Sequence, residues 1–199
     1  MSETALLLAT TNAGKVREIR RALAGLPVKV LGLGDVPPGP CPRERGSTFL
    51  ENARAKSLFY SRKWDGLTLA EDSGLEIDAL GGAPGVRSAR FSSPRPTDER
   101  NNRKALRLLR GVPPAGRGAR FVCVMVLAEK GRVLKEVRGQ VRGRIAPEPR
   151  GGNGFGYDPL FYFPPLRRTF AEISPAAKNA VSHRGRALRK LVRFLRSSL

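Results

Sequence analysis

An unbroken apolar run from Phe121 to Leu127, rich in valine, constrains the fold of this 199-residue chain more than any other segment. Such a run is typical of a strand that is covered on both faces. The sequence Lys130-Gly131-Arg132 then allows a turn, after which apolar and polar residues alternate. The apolar positions are Val133, Val137, Val141 and Ile145, and the polar ones are Glu136, Arg138, Gln140 and Arg144. We therefore predict a hairpin whose second strand buries one face.

Helical patterns flank this hairpin. A strand over Ala5–Thr10 precedes a helix that has Val16, Ile19 and Leu23 on one face, and a second strand lies near Val28–Leu31. This order of strand, turn, helix and strand follows from the change in apolar spacing along the segment.

Three further helices follow from capping and apolar spacing. Thr48 and Glu51 form a capping box that opens a helix reaching about Trp64, and Thr97 caps another helix with Asp98 and Glu99 in its first turn. The last is a basic amphipathic helix with Leu188, Leu191, Val192 and Leu195 on its apolar face. Because no repeat or long linker divides the chain, these elements predict one α/β domain on a mixed sheet over residues 1–199.

The charge of the chain is strongly positive. Lys and Arg number 37 and Asp and Glu number 17, which gives a net charge of +20. Since 40% of the residues are hydrophobic, a disordered polycation is excluded. The charge favours a polyanionic partner, which is a nucleic acid, an anionic membrane or a phosphorylated small molecule.

The location of the protein follows from its cysteines and apolar segments. Cys41 and Cys123 are too few for a disulfide framework, which fits a reducing compartment. The apolar stretch Ala5–Ala9 is too short for a signal peptide, and no stretch approaches the ~20 apolar residues of a membrane span. We expect a cytoplasmic protein without a membrane segment.

A turn between the first strand and the first helix is a candidate phosphate site. It consists of Thr10, Thr11, Asn12, Ala13, Gly14 and Lys15, where hydroxyls, backbone N–H groups and a helix N-terminus converge. The turn is not a Walker A loop, because no Ser or Thr follows Lys15. Alternatively, Asn12 only caps the helix and Lys15 is solvated.

Acidic residues concentrate in one segment of this basic chain. Glu71, Asp72, Glu76 and Asp78 lie within eight residues, and we predict a turn over Glu71–Gly74 between short strands at Leu67–Ala70 and Leu75–Leu80. Carboxylates so placed hold a hard divalent cation such as Mg²⁺, with Glu44 as a second ligand, or they pair with nearby arginines. Asn52 and Lys56 share a helix face, so Lys56 is either catalytic or only a partly buried surface residue.

Two further segments carry candidate binding residues. In the glycine-rich segment Gly151–Asp158, Phe155 or Tyr157 offers a face for a base, although a simple hairpin loop has the same composition. The single histidine, His183, precedes the last helix, and a zinc site there is disfavoured because no second His or Cys is near. A Ser-His-Asp hydrolase is unsupported, since the G-x-S-x-G motif is absent from the sequence.

Five ordered motifs together resemble the inosine triphosphate pyrophosphatase family, also called the XTP/dITP diphosphatases. The T-x-N-x-x-K pattern is at Thr10–Lys15, and E-x-G-x-T-F-x-E-N-A-x-x-K is at Glu44–Lys56. D-S-G-L is at Asp72–Leu75, followed by Pro84-Gly85 and Ser88-Ala89-Arg90. G-F-G-Y-D-P is at Gly154–Pro159, and K-x-x-x-S-H-R-G is at Lys178–Gly185. Arg87 departs from the resemblance, because it stands at a position that is often aromatic.

The resemblance implies an elongated domain with a central twisted mixed sheet, flanking helices and an active-site cleft between two lobes, working as a homodimer. It implies Mg²⁺-dependent hydrolysis of ITP, dITP and XTP to the nucleoside monophosphate and pyrophosphate. Residue by residue, it makes Thr10–Lys15 the triphosphate turn, Glu44 and Asp72 the Mg²⁺ ligands, Asp72 the proton acceptor and Lys56 a catalytic helper. The expected substrate contacts are Ser73, Phe155, Gly156, Tyr157, Asp158, Lys178, His183 and Arg184.

The alternative function is that of a basic nucleic-acid-binding protein, which the net charge and the basic C-terminal helix favour. Against it, the sequence has no zinc finger, no RNP-type strand and no long Lys/Arg run. We therefore do not expect nucleic-acid binding to be the primary role.

Overall fold

A computed structural model describes residues 4–37, 39–42 and 44–198. Strands are mixed with helices along the chain, as predicted. In order they are β1 (Thr4–Leu8), α1 (Ala13–Leu23), β2 (Val28–Gly32), α2 (Phe49–Ser61), β3 (Leu67–Ile77), α3 (Asp98–Leu108), β4 (Gly118–Glu129), β5 (Arg132–Ile145), β6 (Phe161–Phe163), β7 (Arg168–Thr169), α4 (Pro175–Val181) and α5 (His183–Ser198).

The seven strands form one mixed sheet in the order β2-β1-β3-β4-β5-β6-β7. β1 pairs in parallel with β2 and with β3. β6 pairs antiparallel with both β5 and β7. The prediction of an α/β fold on a mixed sheet is therefore confirmed. Among the described residues, no helix combines the length and the apolar content needed to cross a membrane.

The predicted hairpin is β4 and β5, joined by Lys130 and Gly131, both in the left-handed conformation. β4 is buried along almost its whole length. On β5, Val137, Val141 and Ile145 are buried, as the alternation predicts. Val133 is 39% exposed, so its predicted burial is wrong. It lies in the first four residues of β5, all of which are exposed, beyond the part of the strand that other elements cover.

The contacts divide the chain into two compact units. The first comprises residues 1–72, 123–139 and 185–199. Its core joins β1, α1, the second half of β4 and the apolar face of α5, with Leu6, Ile19, Met125 and Leu191 among the buried side chains. The apolar face of the basic C-terminal helix is thus covered within its own unit.

The second unit comprises residues 73–122 and 140–184. Its core is rich in aromatic rings. Phe170 packs at 4.8 Å from Phe161 and at 5.8 Å from Phe163, measured between ring centroids. Ring pairs at these separations contribute beyond the apolar area that they bury.

Local capping signals are confirmed at the helix starts. The hydroxyl of Thr48 accepts the backbone N–H of Glu51, and the Glu51 carboxylate accepts the backbone N–H of Thr48. Asn12 caps α1, and Thr97 caps α3. The second helix ends at Ser61, a few residues before the predicted Trp64.

The predicted turn over Glu71–Gly74 is wrong, because β3 runs without interruption from Leu67 to Ile77. Polar residues in a row are typical of solvated turns. Here, however, Glu71 and Asp72 are buried in an extended strand, with Lys15 and Asn52 contacting their carboxylates. Those partners replace the solvent that a turn would have provided.

Candidate functional site

The turn from Thr10 to Lys15 leads from β1 into the first turn of α1. The side chain of Asn12 accepts the backbone N–H of Lys15 at 3.0 Å, and the backbone N–H of Asn12 donates to the hydroxyl of Thr10 at 3.2 Å. Asn12 is thus the helix cap that the alternative interpretation describes. Lys15 is not simply solvated, because its Nζ lies 3.4 Å from Oε1 of the buried Glu71.

Lys56 lies among three acceptor groups of the same unit. Its Nζ donates to Oε1 of Glu44 at 2.6 Å and to the backbone carbonyl of Glu71 at 2.9 Å, and it lies 3.9 Å from Oδ1 of Asp72. The structure therefore brings together Glu44, Lys56 and Asp72, which come from a loop, a helix and a strand. We call Lys15, Glu44, Lys56, Glu71 and Asp72 the lysine–carboxylate group.

The carboxyl group of Asp72 is buried and its pKa is perturbed. Burial raises the pKa of its carboxyl group above the ordinary value. Lys56 and Lys15 act in the opposite direction, as does the hydrogen bond that Asn52 Nδ2 donates to Oδ2 at 3.0 Å. A buried carboxylate with a raised pKa and a defined orientation is suited to accept a proton.

The donor chemistry of the group fits a hard divalent cation. Glu44 and Asp72 each supply carboxylate oxygens beside one lysine, and oxygen atoms are the ligands that Mg²⁺ prefers. In the described part of the chain, no group of three His, Cys, Asp or Glu side chains is arranged to hold a metal. Two carboxylates are compatible with Mg²⁺, since this ion keeps several waters and binds through one or two carboxylates plus substrate phosphates.

The four acids between Glu71 and Asp78 were expected either to hold a cation or to pair with arginines, and they divide between two environments. Glu71 and Asp72 join the lysine–carboxylate group, whereas Glu76 pairs with Arg120 and Asp78 lies 3.7 Å from Arg142. The last two pairs are partly or largely exposed, and such pairs contribute little to stability. The concentration of acids in the sequence therefore overstates the number that belong to the lysine–carboxylate group.

In the second unit, Lys178 and Arg184 meet at the ring of Phe155. Lys178 Nζ lies 4.7 Å from the centroid of the ring, and the guanidinium carbon of Arg184 lies 5.4 Å from it. Lys178 also bonds Oδ2 of the buried Asp158 at 2.5 Å, and Arg184 donates to the hydroxyl of Ser73 at 3.2 Å. These five residues form one aromatic and cationic group.

The Gly154–Asp158 loop depends on two glycines in the left-handed conformation. Gly154 has φ +81° and Gly156 has φ +64°. A side chain at position 154 would also collide with the carboxylate of Asp158, which accepts the backbone N–H of Phe155 at 3.0 Å. Tyr157 is buried and donates its hydroxyl to the carbonyl of Ser88 at 2.9 Å, and burial raises the pKa of its phenol.

His183 lies at the start of α5 and is almost fully buried. Its ring stacks on Phe121 with a centroid separation of 4.6 Å and an interplanar angle of 12°. The contact anchors the beginning of α5, where Arg184 follows directly in the chain. His183 thus packs against the core of the second unit next to the aromatic and cationic group.

Sequence reasoning missed several residues that organise these groups. Asn52 was noted only for its helix face, yet it bonds both Asp72 and the backbone N–H of Gly46. Asp98 and Asn102 of α3 bond the backbone of Gly156, a contact between residues more than 50 positions apart. A sequence pattern has no signal for such a contact, because side-chain periodicity reports neighbours on one element only.

Comparison with known proteins gives a consistent result along the whole chain. The model of the Ham1 family matches residues 6–194. A dITP/XTP pyrophosphatase of Gloeobacter violaceus is 51% identical over 187 residues, covering 94% of this chain and 92% of the relative. Another of the same name, from Desulforamulus reducens, is 46% identical over 190 residues, covering 96% of this chain and 94% of the relative.

Among solved structures, a HAM1 protein from Coxiella burnetii superimposes with a TM-score of 0.87 at 41% sequence identity. The match covers 98% of this chain and 99% of the other. The likeness thus extends over both units.

Proposed function

Because this chain belongs to the Ham1 family, we propose that it hydrolyses ITP, dITP and XTP, with Mg²⁺, to the nucleoside monophosphate and pyrophosphate. The observation that carries the proposal is the partly buried contact of Lys56 with Glu44 and Asp72. The names of the relatives, dITP/XTP pyrophosphatases, support the substrate class and the reaction. The homodimer and the cytoplasmic location stay predictions.

The charge of the lysine–carboxylate group supports a metal requirement. Its three carboxylates outnumber its two ammonium groups, so the group is negative when all are ionised. A triphosphate with about four negative charges would be repelled by such a group. Glu44 and Asp72 would hold Mg²⁺, which neutralises charge on the phosphate oxygens and on the leaving pyrophosphate.

The residues of the group have distinct roles in the proposed reaction. Asp72 orients the attacking water and accepts its proton, for which its raised pKa is an advantage. Lys56 holds the carboxylates of Glu44 and Asp72 in position relative to each other, because its Nζ contacts both. Lys15 and the backbone N–H groups at the start of α1 bind phosphate oxygens.

The aromatic and cationic group is proposed to select the base. Phe155 offers a ring for stacking, and Lys178 and Arg184 carry donors only. A 6-oxo group, as in hypoxanthine or xanthine, accepts a hydrogen bond from these donors, whereas the 6-amino group of adenine leaves them unpaired. The remaining substrate contacts that the resemblance implies are Gly156, Tyr157 and His183, together with the group members Ser73 and Asp158.

The product assay tests the proposal directly. Purified protein is incubated with Mg²⁺ and ITP, dITP, XTP, GTP or ATP, and the products are identified by chromatography. IMP and pyrophosphate from ITP support the proposal, whereas IDP and orthophosphate, or inertness combined with tight DNA binding, would refute it. Chelation of the metal is expected to stop turnover.

A matched pair of variants tests the site itself. Asp72→Asn is expected to lower kcat by about 10²- to 10⁴-fold, the usual contribution of a positioned base. Glu76→Gln removes a carboxylate from the same strand, but one that pairs with Arg120, and is expected to keep normal turnover. Equal losses in the two variants would remove Asp72 from its proposed role.

A further inference from the structure

The loop Gly154–Asp158 carries Phe155, and its main chain is held from outside the loop by α3. Asp98 Oδ2 accepts the backbone N–H of Gly156 at 2.6 Å, and Asn102 Nδ2 donates to the carbonyl of the same residue at 3.0 Å. Asp98 and Asn102 are four residues apart, so both lie on one face of α3. Both polar groups of one residue in the loop are thus bonded to a single helix.

This attachment acts on a glycine-rich segment, and it adds to the bond between Asp158 and the Phe155 N–H and to the anchoring of the buried Tyr157. Gly154 and Gly156 flank Phe155, and glycine has the largest backbone freedom to lose on ordering. The loop borders a cavity of about 540 Å³ that Asp98 and Asn102 also line, so packing alone does not fill the space on this side. The hydrogen bonds from α3 are therefore well placed to fix the loop.

Asn102 itself has an arrangement that packing does not explain. The residue is 93% buried, and within the described residues no group donates to its Oδ1. An unpartnered buried acceptor destabilises a fold, and an apolar side chain would avoid that cost. Such a local conflict is expected where a side chain serves a functional site.

We infer that Asp98 and Asn102 are positioning residues for base binding, an inference that rests on the proposed function. By fixing the N–H and the carbonyl of Gly156, they hold the neighbouring Phe155 so that its ring stays in contact with Lys178 and Arg184. Substrate then binds to a loop that is already ordered, so less conformational entropy is lost on binding. The residues act on the affinity for the base and not on the chemical step.

Variants of neighbouring residues on the same helix separate positioning from stability. Asn102→Ala removes the bond to Gly156, whereas Asn101→Ala removes an equally buried amide that bonds Ser92 and Ala89 instead. Asp98→Ala and Glu99→Ala each remove an acid from the first turn of α3, but Glu99 pairs with Arg103 and not with the loop.

Steady-state kinetics with ITP give the first measurement. We expect Asn102→Ala and Asp98→Ala to raise KM roughly five- to tenfold, with kcat changed less than about twofold. Asn101→Ala and Glu99→Ala should leave KM close to the wild-type value at temperatures where all four variants are folded. A fall in kcat alone, or equal KM effects within each pair, would overturn the inference.

Amide hydrogen exchange of the substrate-free protein gives the second measurement, and it does not depend on turnover. Exchange over Gly154–Asp158 should accelerate in Asn102→Ala and Asp98→Ala and stay unchanged in the two controls. Unchanged exchange in the loop would refute the positioning role even if the enzyme hydrolyses ITP. Conversely, if the wild type is inactive, the proposed function fails while the effect of α3 on the loop is still decided.

Discussion

Asp72 shows how a single residue is shaped by opposing forces. Burial raises the pKa of its carboxyl group, and the neighbouring Lys56, Lys15 and Asn52 limit the rise. The same burial that makes Asp72 a stronger base makes its charged form unfavourable in the folded protein. For the proposed reaction, activity and stability are therefore opposed at this position.

The pH dependence of stability should reveal this opposition. Because the folded pKa of Asp72 lies above the ordinary value of 3.8, the folded state binds the proton more tightly, and stability falls as pH rises through that window. We expect metal-free Asp72→Asn to match the wild type in melting temperature below about pH 3.8 and to exceed it at pH 7. Thermal melts in EDTA across this range measure the effect; an Asp72→Asn melt below that of the wild type at pH 7 contradicts it.

Arg184 carries the proposed preference for 6-oxo purines. Arg184→Gln introduces an acceptor next to Ser73, so the ratio of kcat/KM for ITP over ATP should fall on the order of ten- to a hundredfold. Because Arg184 is almost fully buried, circular dichroism must first show that the variant is folded. Arg184→Lys keeps a donor-only side chain and should retain more of the preference. An unchanged ratio in Arg184→Gln would exclude Arg184 from base selection.

At the scale of the elements, short-range patterns predicted structure well and long-range contacts did not follow from them. The capping residues Asn12, Thr48 and Thr97 were predictable because each bonds a backbone group three residues away. The continuous strand β3 was not, because Glu71 and Asp72 depend on partners from α1 and α2. The attachment of Gly156 to α3 joins residues 54 positions apart and has no local signature.

The candidate site, like the fold, could be predicted where it rests on local motifs and not where it depends on contacts between distant segments. The resemblance assigns Glu44, Lys56 and Asp72 to one site, and in the structure Lys56 Nζ lies within 4 Å of both carboxylates, while their roles stay predictions. Glu76 and Asp78 pair with Arg120 and Arg142 instead, and this pairing depends on which arginines lie near them in space. Spacing along the chain contains no such information.

The capping box of α2 yields a prediction for this element. Thr48→Ala should lower the free energy of unfolding by about 1 kcal/mol, the usual contribution of a threonine cap. Because Thr48 and Glu51 bond each other's backbone, the effects of Thr48→Ala and Glu51→Ala should not add in the double variant. Denaturant titrations at pH 7 measure all three. Strict additivity would show that the two bonds are independent.

At the scale of the whole molecule, the excess of positive charge is the dominant property. Six arginines of the described residues lie in ion pairs with Asp or Glu, but the net charge is +20, so the cations of the chain far outnumber the acids available to pair with them. Like charges destabilise the compact state by mutual repulsion. Only a few cations, among them Lys15, Lys56, Lys178 and Arg184, belong to the two proposed binding groups.

Screening should therefore stabilise the protein. We expect the melting temperature to rise between about 0.02 M and about 0.5 M NaCl, because the Debye length shortens from tens of ångströms to a few. Differential scanning calorimetry in a buffer without phosphate, which would bind as an anion, measures the change. A falling melting temperature would mean that surface ion pairs contribute more than the repulsion.

Asn52 links the position of the loop that carries Glu44 to the environment of the Asp72 carboxylate. Its Nδ2 bonds Asp72, and its Oδ1 accepts the backbone N–H of Gly46, two residues from Glu44. A side chain at position 46 would come within 2.7 Å of that Oδ1 and displace the amide. A substitution at either position would thus alter the placement of the loop that carries Glu44 and the environment of the Asp72 carboxylate together. Evolution of the family through small steps is expected to leave this pair of positions unchanged, while the surrounding loop varies.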